Sequence, residues 1–585
     1  MPRAYPPTNL QQGERGWHLD WIGVLVALGV FALIWLVVSL SGDMRAHFDE
    51  LHQPALSLDP RHIPYYTART VLRMLIAFGA SLSFTFGYGY VAAKSPAARK
   101  VMLPVLDIFQ SVPPLGFLAI TLLWFMAVFP GSLLGLECES IFLVFTAQAW
   151  NMTFGFYHSL VTIPAELQEA AQIYRLNRWQ RFCKLELPAS AIGLVWNSML
   201  SFGGGWFFVA QSEAITVFNK DIKLPGLGSY MATAVEQGNT RAAVYAIISM
   251  ITTIVVIDQL VWRPLVAWAE KFKLEQTEAA DTQQSWVLDL LQGSRLLRWL
   301  SEHLWAPLET VINGLFATTA TLSETLGERT PSVVRTLMRG LGWLLVGAVC
   351  AWLLWGLLGL GREIKTALAP SEMLRICWLG VLTLLRVFAM TVLATLIWTP
   401  VGVWIGSKPK VASIAQPLAQ IAASFPVNMT FPFVVAFFIA TRISINYGSI
   451  LLIALGTQWY ILFNVIAGAM GIPTDLREAS GIFGLHGWKL WKTLIIPAIF
   501  PFWVTGAVTA AGGAWNASIV AEVASWGKDK LVAQGLGAYI AEVTVKGDKP
   551  AIYFSIIVMS IFVVGINRLL WRPLYDLAER RYKLA

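Results

Sequence analysis

Apolar and polar positions fall in long blocks along this chain. Apolar runs stand at 21–41, 67–92, 112–131, 141–162, 190–212 and 241–262, then at 337–360, 376–405, 421–440, 448–470, 497–520 and 551–571. A helix needs about 20 such residues to cross a hydrocarbon core roughly 30 Å thick. The pattern therefore predicts six spans followed by six more, an all-α polytopic membrane protein.

The polar blocks between the runs repeat. Residues 163–188 read IPAELQEAAQIYRLNRWQRFCKLELP, and residues 472–497 read IPTDLREASGIFGLHGWKLWKTLIIP. One register, an offset of 309, joins Glu169 to Glu478, Trp206 to Trp515, Glu213 to Glu522, Gly226-Leu227-Gly228 to Gly535-Leu536-Gly537 and Trp262-Arg263-Pro264 to Trp571-Arg572-Pro573. Upstream, Arg73 and Arg386, Pro104 and Pro417, and Pro113 and Pro426 stand 313 apart, so an indel falls between about residue 114 and Trp150. The chain reads as two tandem parallel repeats, whose relating axis runs along the membrane normal. Its expected parts are an N-terminal segment with the first span (1–66), a first repeat domain (67–265), a linker (266–336), a further span with an outer loop (337–375) and a second repeat domain (376–585). Within the linker, 285–305 has apolar residues at helical spacing and suits a helix lying at the membrane surface, with a plain amphipathic packing helix as the alternative.

Composition agrees with a membrane chain: 56% of residues are hydrophobic and 13% charged. The net charge of +8 is explained by basic loops on the cytoplasmic side, with no nucleic-acid partner implied. Placing Lys94, Arg99, Lys100, Arg175, Arg178, Lys408, Lys489 and Arg580 inside puts the segment 135–140, GLECES, in an outer loop. Four basic residues in another outer loop (Lys528, Lys530, Lys546, Lys549) dilute that bias. Four cysteines without paired spacing offer no metal or disulfide framework. The Trp-Arg-Pro-Leu closing each last span suits an interfacial exit, with Trp at the headgroups and Pro stopping the helix.

Each repeated loop opens with Ile-Pro and an acid in the first helical turn, Glu166 or Asp475, which favours a helix start. A small-residue patch follows, Glu169-Ala170-Ala171 or Glu478-Ala479-Ser480, and permits close approach by another body. Gly484 and Gly487 turn the second copy, being free to adopt left-handed backbone.

This pattern, E-A-A, then a glycine, then I-x-L-P, resembles the EAA loop of permease subunits of binding-protein-dependent ABC importers. It is met by Glu478-Ala479-Ser480, Gly484, Leu494, Ile496 and Pro497, and by Glu169-Ala170-Ala171, Leu185, Leu187 and Pro188. Arg175 stands at the first copy's glycine position; either that turn closes without a left-handed residue or that half docks less tightly. The segments 512–524, 535–540, 111–114 and 424–427 look like permeases for nitrate, sulfonate and taurine. The resemblance implies the fold of such permeases in fused, duplicated form, in a bacterial inner membrane. It also implies two ABC ATPase subunits on the cytoplasmic face, docked through Glu169, Ala170, Ala171, Glu478, Ala479, Ser480 and Gly484, and a periplasmic or lipid-anchored solute-binding protein. The chain has no GxxxxGK[ST] loop, so it is expected to bind no cofactor and catalyse no reaction, with ATP and Mg used by the partner ATPase.

Polar or bulky residues within spans are candidates for a solute path: Gln148, Asn151 and Trp206 in the first half, Gln458, Asn464, Trp515 and Asn516 in the second. Hydrogen bonding between helices is the alternative for the polar ones, and close packing through neighbouring glycines for the tryptophans. Arg73 and Arg386 would favour an anion if they faced a pore, but snorkelling or helix capping is the reading preferred here. An ion-coupled carrier is the other functional class; spans nearly free of carboxylates argue against it. A permease for another solute, such as ferric iron, also stays open.

Overall fold

The computed structural model describes residues 38–47, 56–217, 220–272, 285–293, 332–526 and 529–581, with a few isolated positions besides. In the first half, α1 (Ile63–Lys94) leads into α2 (Pro96–Ser111) and α3 (Pro114–Val128). Then come α4 (Leu133–Val161), α5 (Ala165–Ile173), α6 (Arg178–Arg181) and α7 (Leu187–Ser212). A short hairpin of β1 (Ala214–Val217) and β2 (Lys220–Lys223) precedes α8 (Leu227–Glu236), α9 (Thr240–Ile257) and α10 (Arg263–Ala269). The linker contributes α11 (Trp286–Gly293), and α12 (Ser332–Ala367) enters the second half. There the order recurs as α13 (Pro370–Gly406), α14 (Pro409–Ser424), α15 (Phe431–Thr441), α16 (Ile445–Met470), α17 (Thr474–Ile482), α18 (Gly487–Leu490) and α19 (Ile496–Ala521). The hairpin of β3 (Val523–Trp526) and β4 (Asp529–Val532), then α20 (Leu536–Lys546), α21 (Lys549–Ile566) and α22 (Arg572–Arg581), complete it.

Among the described residues, eight helices are long and apolar enough to span a membrane, or ten if two bent pairs are counted as spans. Two of the twelve expected runs become bent helix pairs, not single straight spans. The runs 112–131 and 421–440 are cut by Pro113-Pro114 and Pro426, which withhold a backbone donor and push the preceding residue out of the helical region. The second pair bends by 78° at this break. The pieces that follow, α3 and α15, reach only roughly 22 and 16 Å. Most of the run 21–41 lies outside the described residues, as does most of the linker segment 285–305 beyond α11. The run 337–360 lies inside α12.

The segment 135–140 is not an outer loop. Ser132 caps α4 by accepting the Leu134 N–H (3.2 Å), and Gly135 to Ser140 form its first turns, with Glu137 and Glu139 fully buried. The Trp-Arg-Pro-Leu segments also differ from expectation. Trp262 packs edge-on to Phe78 and Phe202 at 5.6 and 5.4 Å, Trp571 is buried too, and the helices run on past both prolines.

A single device explains how. Among the described residues of the two halves stand four π turns, Phe182–Glu186 and Asp258–Trp262 in the first, Trp491–Ile495 and Asn567–Trp571 in the second. Each is followed two residues later by a proline: Pro188, Pro264, Pro497 and Pro573. Proline cannot donate to the carbonyl four residues back, and its ring collides with it. The wider turn relieves the clash and lets a continuous rod absorb a proline.

Two large cores form, one around Met74, Phe202, Trp206 and Met250 that also takes in Met429 of the second half, the other around Met390, Leu452, Ile461 and Trp515 that also takes in Leu115, Leu122 and Leu143 of the first half. The halves meet along two related seams. In one, α14 lies on α7, with Ser424 so close to Gly203 that a Cβ there would sit 2.7 Å from its hydroxyl. Asn428 donates to Gln211 across the same contact (3.1 Å). In the other, α2 and α3 lie on α19 and α21, Gly116 facing Ile556.

Candidate functional site

The repeated loops form the same object twice. In the first, the Leu176 N–H reaches the Ala171 carbonyl (3.1 Å) and the Arg175 N–H reaches that of Gln172 (2.9 Å). In the second, Leu485 reaches Ser480 (2.9 Å) and Gly484 reaches Gly481 (3.0 Å). This paired closure satisfies the last carbonyls of a helix and needs a left-handed residue just beyond its end. Gly484 supplies it at φ 62°, and Arg175 supplies it at φ 50°. The first turn therefore closes through a left-handed residue despite lacking glycine. Only geometric demand from the flanking bonds explains an arginine there, since such a conformation costs an L-residue about 1–2 kcal/mol.

The closure sorts the patch by face. Ala171 and Ser480 are buried, Ala170 and Ala479 half-buried, and Glu169 and Glu478 exposed. At the tips, Ile173 and Tyr174 are 80% and 66% exposed, and Ile482 and Phe483 are 85% and 79% exposed. Two large apolar side chains at the same place in both copies make a matched pair of knobs. The anchors behind them differ. Gln168 accepts from Arg181 (3.1 Å), while Arg181 and Lys94 both pair with the buried carboxylate of Glu186. The second loop is held instead by Arg477, which donates to the Ala469 carbonyl (2.5 Å).

At the opposite end of the same helices lies a second repeated constellation. The Glu213 carboxylate accepts from Thr70 (2.6 Å), Arg73 (2.7 Å) and the Gly228 N–H (2.7 Å). Glu522 accepts from Thr383 (2.8 Å), Arg386 (2.9 Å) and the Ala538 N–H (3.0 Å). Each carboxylate thus sits at a helix N-terminus, α8 or α20, where amides and dipole favour an anion. The Gly-Leu-Gly motif is now explained by space: a Cβ on Gly226 would stand 2.2 Å from Glu213, and one on Gly228 2.2 Å from the Ala210 carbonyl oxygen. Arg73 and Arg386 therefore neither snorkel nor face a pore; both are buried against carboxylates. In the first half Glu137 joins at 2.6 Å from Arg73 and also pairs with Arg69; its counterpart in the second half is Asn446, which accepts from Arg386 (3.1 Å). The threonines were missed in the sequence, although Thr70 and Thr383 precede each arginine by three residues at the same offset of 313. Glu139, also buried, has no partner for either carboxylate oxygen among the described residues.

The path candidates do not assemble into one constriction. Gln148 lies inside the first half, accepting from Ser81 (3.4 Å) beside Gly205. Asn151 donates to Ser201 (3.1 Å) between α4 and α7. Gln458 accepts from Trp398 (2.9 Å), and Asn464 donates to the Tyr460 carbonyl of its own helix (2.8 Å). Trp206 packs on Phe202 and Trp515 on Phe562, each within its own half. The side-chain oxygen of Asn516 is buried without a partner. Tyr460, not among these candidates, reaches the other half, its hydroxyl lying 3.8 Å from a Cβ built on Gly204.

Comparison with known proteins finds the family described as binding-protein-dependent transport system inner membrane component twice in this chain, over residues 85–261 and 398–583. A putative ABC transporter permease protein of Methanocaldococcus jannaschii is 30% identical over 143 residues, 24% of this chain and 52% of the relative. The bicarbonate transport system permease protein CmpB of Synechococcus elongatus is 24% identical over 278 residues, 45% of this chain and 94% of the relative. The taurine transport system permease protein TauC of Escherichia coli is 22% identical over 172 residues, 29% of this chain and 59% of the relative. The chain thus spans between half and three fifths of the length of the first and last of these.

Proposed function

This chain belongs to the family of binding-protein-dependent transport system inner membrane components, and from that premise we propose that it is the permease subunit of an ATP-driven ABC importer. Both half-sites of the permease reside in one chain. Separate ATPase subunits dock on the loops 163–188 and 472–497, and a solute-binding protein delivers the solute from the other face. The observation that carries this reading is that the two loops close their first helix with the same pair of backbone hydrogen bonds, each presenting an exposed acid and an exposed apolar pair. Relatives named for bicarbonate, nitrate and taurine transport favour a small anion or sulfonate as the solute. ATP and Mg act on the partner, and this chain catalyses no reaction itself.

Glu169 and Glu478 are the proposed coupling residues, with Ala170, Ala171, Ala479, Ser480 and Gly484 shaping the seat. Glu137 and Glu139 lie buried inside a span, so a scarcity of carboxylates does not count against an ion-coupled carrier; family membership does. The test is purification of the tagged chain from its native membrane with its bound proteins. A stoichiometric partner with a phosphate-binding loop, lost on combined Glu169→Arg and Glu478→Arg substitution, supports the proposal. Solute uptake by the chain alone in vesicles, driven by an ion gradient, would sink it.

A further inference from the structure

The two seams between the halves ought to be alike, and they are not. The seam where α14 meets α7 and α9 is filled, leaving a cavity of only ≈ 10 Å³ beside Gly203 and Ser424. The related seam, where α2 meets α19 and α21, holds a cleft of ≈ 440 Å³. Its charges have changed as well. At the filled seam Arg263 is paired with Asp258 at 3.2 Å. At the open one the residue equivalent to Asp258 is Asn567, and Gln259 has become Arg568. Arg568 and Arg572 thus both line the cleft, and with Asp107 set against them a net positive charge remains. Both arginines are exposed. Leu103, Phe154, Val508 and Trp571 form an apolar wall alongside. The site lies where α21 returns to the side of the coupling loops, the level of the inner headgroups, and Leu569 beside it is 81% exposed.

We propose that this cleft binds one anionic phospholipid of the inner leaflet, its phosphate held by Arg568 and Arg572 and an acyl chain laid along the apolar wall. Guanidinium matches phosphate oxygens in planar, two-point fashion, and basic pockets between spans on the cytoplasmic side suit anionic headgroups. A seam that is open and basic on one side, filled and neutral on the other, gives one site per chain. The test uses the full chain, purified and stripped of lipid, with bound lipid counted by native mass spectrometry. Titration with phosphatidylglycerol should fill one site in preference to phosphatidylcholine. The R568Q/R572Q variant should weaken that binding by about tenfold or more, and V508F, which narrows the cleft and keeps both arginines, should weaken it too. R580Q/R581Q, which removes the same charge from α22 beyond the cleft, should leave it unchanged. Equal losses in the two double variants, or no preference for phosphatidylglycerol, would overturn the site. Displacement of the lipid by millimolar inorganic phosphate would assign the cleft to free oxyanions and overturn the lipid reading.

Discussion

Removing the charge of Glu522 tests the outer constellation most directly. Its carboxylate is the one anion contacting Arg386 among the described residues, at 2.9 Å; the guanidinium otherwise meets only the Asn446 backbone and side-chain oxygens, each at 3.1 Å. A glutamine at 522 retains some acceptor capacity for Thr383 and Ala538 but leaves a buried cation without a counter-charge. Breaking a buried pair from one side costs about 3–5 kcal/mol, whereas replacing both partners by apolar or neutral groups of similar size is often close to neutral. Glu522→Gln and Arg386→Met are each expected to lose about 3–5 kcal/mol, and the double variant to lose less than either single one. Glu213→Gln should cost less, about 1.5–3 kcal/mol, because Arg73 keeps Glu137 at 2.6 Å. Equilibrium unfolding in mixed micelles measures all four. Additivity in the double variant, or a loss at Glu213 as large as that at Glu522, would refute the argument.

Other substitutions test neighbouring claims. Gly228→Ala forces a Cβ to 2.2 Å from a backbone oxygen and should abolish accumulation of folded protein, while Gly87→Ala, with nothing within 4 Å, should be silent in the same expression and size-exclusion assay. Arg175→Gly should stabilise the first loop by up to about 1 kcal/mol, and Gly484→Val should destabilise the second by a similar or larger amount; hydrogen exchange at Leu176 and Leu485 reads both. Glu139→Leu removes an orphaned buried carboxyl group and should raise the melting temperature in detergent; a lowered one would mean that Glu139 has a partner in the assembled complex.

Repetition carried most of what was legible in advance. The loops, the Gly-Leu-Gly motifs, Glu213 with Glu522 and Arg73 with Arg386 all stood at constant offsets, so their importance could be read before their contacts were known. Their joining could not, because Thr70 and Thr383 look like ordinary span residues and Glu137 lies in the region disturbed by the indel. Hydropathy misplaced Glu137 and Glu139 into a loop, since two carboxylates at the start of a helix lower the local mean as a loop would. Arg175 defeated a propensity argument because helix-end bonding can impose a left-handed turn on any residue. The π turns were invisible for a different reason: one residue gained within a helix barely disturbs its apolar stripe.

The placement of those π turns gives each half a mechanical polarity. All four lie on the side of the repeated loops, and the Glu213 and Glu522 constellations pin the far ends of the two rods, α7 and α19, that two of these turns open. A helix with a wide turn at one end and a buried ion pair at the other has its pivot fixed. Force applied at the loop end swings the rod about its clamped far end, so displacement should grow toward the repeated loops and vanish near Thr70 and Thr383.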